Sequence, residues 1–154
     1  MPGNGGVRTF VTAGLLLVAL GPGISEAGIC FGYPEQPTPA QLKADVAAEL
    51  KESVAVFTGT VTAIDQLTVR MRVDRVWKGR VGRTVDFSTG TRKTASGRVS
   101  SGSEDYRFAV GVKYVVFAMG KSLRDMQGFQ CGSTGPLKDA VDTLTFLDEL
   151  SLRK

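Results

Sequence analysis

The residues that could do chemistry in this chain are few. Cys30 and Cys131 are its only thiols, and no histidine occurs anywhere in its 154 residues. Without an imidazole there is no histidine general base, no serine or cysteine triad and no ordinary His-ligated metal site. Once the two cysteines pair, no nucleophile is left with an obvious activating base, so the residues argue against an enzyme and imply neither cofactor nor metal. A second feature is charge. Nine basic side chains fall between residues 70 and 98 against two acids, Asp74 and Asp86. Arg70, Arg72, Arg75, Arg92, Lys93 and Arg98 among them make a candidate basic face for an anionic partner such as a surface polymer. The plainer reading of the same run is a solvated outer face followed by a loop. Glu104 and Asp105 are adjacent acids, which point to opposite faces of an extended chain, so they read as loop-end solvation and not as a two-carboxylate site.

The elements that must position these residues begin with a segment expected to be removed. Residues 1–27 read as a signal peptide: one charge, Arg8, precedes the apolar run Val11 to Leu20, then Gly21-Pro22-Gly23 and the small-x-small triplet Ser25-Glu26-Ala27. That run is too short to span a bilayer, which takes about 20 apolar residues. Ile29 stands directly before Cys30, where a lipoprotein signal needs a small residue, so no membrane anchor is expected in the mature form. The expected product is a secreted chain, extracellular or periplasmic, beginning at Gly28 and forming one domain over residues 28–154. Loss of Arg8 and Glu26 leaves 18 basic and 14 acidic side chains, and the charge stays at +4. Export argues against nucleic acid as the target of the basic run.

An even cysteine count in an exported chain implies a disulfide, and two cysteines allow one connectivity, Cys30 to Cys131. Such a bridge closes a loop of about 100 residues and contributes on the order of 4–5 kcal/mol in the chain-entropy account. It would tie the irregular leader Gly28 to Pro37 to a point near the C-terminus.

Thr38-Pro39-Ala40-Gln41 offers an N-cap, a first-turn proline and a capping-box glutamine, and Leu42, Val46 and Leu50 recur at helical spacing, which predicts a helix over residues 39–51. Val54 to Ile64 is a strand with a bulge or bend at Gly59. Leu67 to Trp77 alternates Val69, Met71 and Val73 with Arg70, Arg72 and Asp74, a strand with one wet face. Residues 84–88 form a third strand, residues 89–105 a long exposed loop, and Tyr106 to Val110 and Lys113 to Ala118 two further strands about Gly111-Val112. Pro136 is expected to open a final helix with Leu137, Val141, Leu144, Leu147 and Leu150 along one side. The fold class is therefore mainly β: a five-stranded closed or nearly closed barrel with a short N-terminal and a C-terminal helix.

Several of these segments together resemble a family. Val56-Phe57-Thr58-Gly59-Thr60-Val61, Val73 to Gly79, Ser88-Thr89-Gly90, the Tyr106-Arg107-Phe108-x-x-Gly111-x-x-Tyr114-x-Val116 block and Cys131 to Leu137 are similar, in this order, to bacterial members of the tissue inhibitor of metalloproteinases superfamily. The resemblance covers residues 28–150 and implies a netrin-like OB barrel. In the animal inhibitors the mature chain begins cysteine, one residue, cysteine, and each is bridged to a later cysteine. Cys30 aligns with the second, Gly28 stands where the first would be, and Glu104-Asp105 stand near that first cysteine's partner. One bridge is thus absent at both ends, while Cys30 and Cys131 match both ends of the other.

In that family the first residue's α-amino group and carbonyl chelate the zinc of a protease, and the second side chain fills the adjacent pocket. The resemblance therefore implies Gly28, Ile29, Cys30, Phe31, Ser103 and Glu104 as protease-contact residues, and a secreted zinc metalloprotease, or another extracytoplasmic protein, as partner. Without the missing bridge, ordering residue 28 costs about 1–2 kcal/mol, so inhibition is expected to be weak. The alternative is an extracytoplasmic structural or adhesion module that holds an anionic partner on the basic face.

Overall fold

Thr38 starts the first helix as its neighbours predict: its hydroxyl accepts the Gln41 backbone N–H, and the Gln41 side chain accepts the Thr38 N–H at 2.8 Å. The computed structural model describes residues 37–100, 106–129 and 131–152. Helix α1 runs Pro39–Glu52 and ends at Ser53, whose N–H and hydroxyl both bond the Glu49 carbonyl. The expected signal peptide, residues 28–36 of the expected leader and with them Cys30 lie outside the described residues.

Strand β1, Ala55–Ile64, leaves α1 almost at once and becomes the centre of the sheet. It pairs antiparallel with β2, Thr68–Lys78, and on its other edge with β6, Lys113–Ala118. Asp65 shapes the β1–β2 turn by accepting the Leu67 and Thr68 N–H groups at 2.7 Å. The predicted irregularity at Gly59 is real: the register shifts between Thr58 and Gly59, and a Cβ on Gly59 would lie 2.5 Å from the Arg72 carbonyl oxygen. Strand β3, Thr84–Ser88, pairs with β2.

The sheet has a hydrophobic cluster on each face, which explains why β1 and β6 read as nearly unbroken apolar runs. Phe57, Val61, Val69, Met71, Phe87, Tyr114 and Val116 fill one side. Val56, Val115 and Phe117 fill the other, under Val46 of α1 and Leu147 of the last helix, α2, Val141–Ser151. Lys43 of α1 reaches Glu149 of α2 and lies over the Phe146 ring, joining the two helices at the surface.

Three expectations need correction. Tyr106 to Val110 is not a strand. The Ala109 N–H donates to the Tyr114 hydroxyl and the Ala109 carbonyl accepts the Val112 N–H in a tight turn, and the exchange of bonds with Val61 of β1 begins only at Gly111 and Val112. The Tyr106 and Phe108 rings pack on each other and on Tyr114, and Phe108 also on Phe87. The fifth strand is β7, the dipeptide Gly135–Pro136, paired with Tyr114 and Val115.

The barrel is not closed. The sheet is open in the order β3-β2-β1-β6-β7; its first and fourth strands do not pair, and Gln127 bridges Ser88 and Met119 at their ends. Within the expected loop, Arg92–Lys93 (β4) and Val99–Ser100 (β5) form a small ribbon around a turn at Thr94 to Gly97. The last helix, α2, begins later than Pro136, at Val141–Ser151, after a 3-10 turn at Leu137–Asp139. Val141 is then 64% exposed, off the apolar side, while Leu147 is fully buried. The shift follows from Pro136 being held in β7.

Candidate functional site

The residues expected to touch a protease, Gly28, Ile29, Cys30, Phe31, Ser103 and Glu104, lie outside the described residues. Cys131, the residue expected to anchor them, is described. Cys131 begins the turn that leads into β7, and two hydrogen bonds hold that turn to the body of the protein. The Ser133 N–H donates to the Glu49 carboxylate of α1 at 2.7 Å, and the buried Thr134 hydroxyl accepts the Phe117 N–H of β6 at 2.9 Å. A Cβ on Gly132 would meet the Glu49 carboxylate, so a side chain there would push that carboxylate away from the Ser133 N–H.

Burial pushes the Glu49 carboxyl above its ordinary value, with Asp45 and Glu52 adding to the rise, while the hydrogen bonds from Ser133 oppose it. A carboxyl raised in the folded state favours folding when protonated. Stability is then greatest below the unfolded value of 4.5 and falls as pH climbs through the folded one. Glu49→Gln keeps an acceptor for the Ser133 N–H without the charge. It should be at least as stable as the parent near pH 7, and it should lose the stability gain that the parent shows on acidification towards about pH 5. Thermal melts across that range test this; parallel profiles for the two proteins would refute it. Asp86 and Asp148 have lowered values and act the other way: their contribution is present above the unfolded value of 3.8 and is lost as pH falls from there through their folded values.

The six residues of the expected basic face do not act alike. Arg70 makes a two-pronged pair with Asp86 of β3, at 2.8 and 2.7 Å, and this hydrogen bonding holds the Asp86 carboxyl below its ordinary value. Arg75 stacks on the Trp77 ring at 4.5 Å and pairs with Asp148 of α2 at 2.6 Å. The Trp77 indole N–H donates to the same carboxylate at 2.8 Å and is the first cause of its lowered pKa, with Arg75 adding to it. Arg75 thus serves as a strap between β2 and α2.

Arg92, Lys93 and Arg98 are exposed and sit on or beside the separate β4–β5 ribbon. Arg72 is exposed on β2 and, among the described residues, has no ion pair. The sequence run is therefore two neutralised arginines, one unpaired arginine on the main sheet and a separate basic ribbon. Nothing in the spacing of Asp148 or Glu49 marks them for these roles, because both partners lie far away in sequence.

Among the described residues no group of three or more Cys, Asp or Glu side chains could hold a metal ion, and no helix is long and apolar enough to cross a membrane. Compared with protein-family models and with curated proteins, the sequence matches none.

Proposed function

We propose that the chain is exported, cleaved behind Ala27, and acts as a protein-binding module of netrin-like OB type that blocks a secreted zinc metalloprotease with its new N-terminus. The observation that carries this reading is the strand order β6-β1-β2-β3, in which the fourth long strand returns to lie beside the first, with Gln127 bridging the two ends. That order is a Greek key, the connectivity on which OB barrels are built, and it supports the reading. The sequence resemblance then supplies the mechanism.

The Gly28 amine and carbonyl take the open coordination position of the protease zinc, and Ile29 enters the neighbouring pocket. Cys30 is bridged to Cys131, whose turn is fastened by Glu49 and Thr134, so the leader hangs from a rigid point. Gly28 itself has no second bridge to hold it, and its ordering on binding makes the inhibition weak.

The test is inhibition of a panel of secreted zinc proteases by the protein started at Gly28. One added N-terminal alanine turns the chelating amine into an amide and should abolish inhibition. Ile29→Gly should weaken it by about 2 kcal/mol, roughly thirtyfold. Equal inhibition by the extended and unextended forms would reject the mechanism.

A further inference from the structure

The face of the sheet that carries Val115 and Phe117 also bears, towards the start of β6, a row of directly opposed residues one strand apart. Lys113 of β6 faces Thr60 of β1, Thr60 faces Arg72 of β2, and Arg72 faces Thr84 of β3. Directly opposed residues project to the same face with Cβ atoms about 5 Å apart, so two cations flank one hydroxyl and a second hydroxyl stands beyond Arg72.

Two observations make this row unlike the charges around it. Arg72 has no acid among the described residues, whereas Arg70 and Arg75 on the same strand are each paired. The Thr60 hydroxyl is buried and has no hydrogen-bond partner, the one described side-chain oxygen or nitrogen in that condition. A buried hydroxyl without a partner forfeits its hydrogen bonds to water and is a place to look for an absent ligand. Among the described residues the acid paired at the row is Asp74, whose carboxylate stands 3.5 Å from the Lys113 ammonium, with the two side chains 35% and 56% exposed. That pair is too long and too exposed to hold the lysine strongly.

We propose that this row is a binding site for a single oxyanion group of the phosphate class. The Arg72 guanidinium gives two parallel N–H donors to two of its oxygens. Lys113 turns from Asp74 to add its charge, and the Thr60 hydroxyl donates to the oxygen that settles between the two cations. Thr84 lies at the open end of the row, where the rest of the ligand leaves. A single row about three strand spacings long, roughly 14 Å, suits one charged group and not an extended polymer. The site does not depend on the N-terminus and is independent of protease binding.

Inorganic pyrophosphate and vesicles of phosphatidic acid in phosphatidylcholine are the two probes, followed on the full chain by backbone amide NMR and by co-sedimentation. Saturable shifts with pyrophosphate at Thr60, Arg72 and Lys113 are expected, weakened at least tenfold in Arg72→Gln and in Lys113→Gln, and unchanged in Arg92→Gln. Thr60→Val should raise the melting temperature of the free protein and weaken pyrophosphate binding several-fold, a combination that a purely structural hydroxyl would not produce. Sedimentation with the vesicles that Arg72→Gln abolishes would identify a lipid headgroup as the source, and pyrophosphate binding without it a free anion. Shifts spread evenly over all exposed cations, or unaltered binding by Arg72→Gln, would overturn the proposal.

Discussion

Phe117→Ala is expected to lower the stability of the protein by about 3–5 kcal/mol, against a total of about 5–15 kcal/mol for a domain of this kind. Phe117 is 1% exposed and sits in the cluster between the sheet and both helices, with Val56, Val115, Val46 and Leu147. Its ring fills the space over which α1 and α2 meet β6, and truncation leaves a cavity that the short helices must collapse into or leave empty. Its backbone N–H is also the donor to Thr134, so the same strand position anchors the turn after Cys131. The helix layer should loosen first. Urea unfolding should show a lower midpoint with the slope nearly unchanged, and amide exchange should accelerate in α1 and α2 before the β1–β2 pair. A loss below about 1 kcal/mol would mean that the helices contribute little to holding the sheet.

On the proposed Cys30 to Cys131 bridge, Cys131→Ser should cost on the order of 4–5 kcal/mol, because the cross-link removes the entropy of a loop of about 100 residues from the unfolded chain. The native end of that loop is already well placed: Glu49 and Thr134 hold Ser133 and the adjoining turn whether or not the bridge is formed. The cost should therefore appear mainly through the unfolded state, with the fold of the sheet unchanged. Protein from its native compartment should show no titratable thiol under denaturing conditions, and reduction should lower its melting temperature to that of Cys131→Ser. Two titratable thiols would defeat the bridge, and with it the tether on which the proposed N-terminal contact depends.

The sequence by itself determined the elements whose signals are local. Thr38, Pro39 and Gln41 form the cap of α1 because every bond involved spans three residues. The β1–β2 pair is legible because Val69, Met71 and Val73 alternate with charged residues, and Gly59 announces its irregularity because a side chain there would strike the backbone of β2. Residues 84–88 carry enough branched and aromatic character to be read as a strand from end to end.

Tertiary structure decided the rest. Tyr106 to Val110 has strand composition, but its rings are needed at the opening between β3 and β6, where Phe87 and Tyr114 receive them, and the ladder position beside β6 goes to Gly135–Pro136. Holding Pro136 there delays α2 to Val141, a shift no helical periodicity can reveal. The basic run divides for a similar reason. Arg70 and Arg75 meet Asp86 and Asp148 only once β3 and α2 have packed, whereas Arg72, which lies between those two arginines in the chain, is left between two threonines. Charge spacing along a strand shows which side chains face water; which of them stay free is set by what the other strands and the last helix bring alongside.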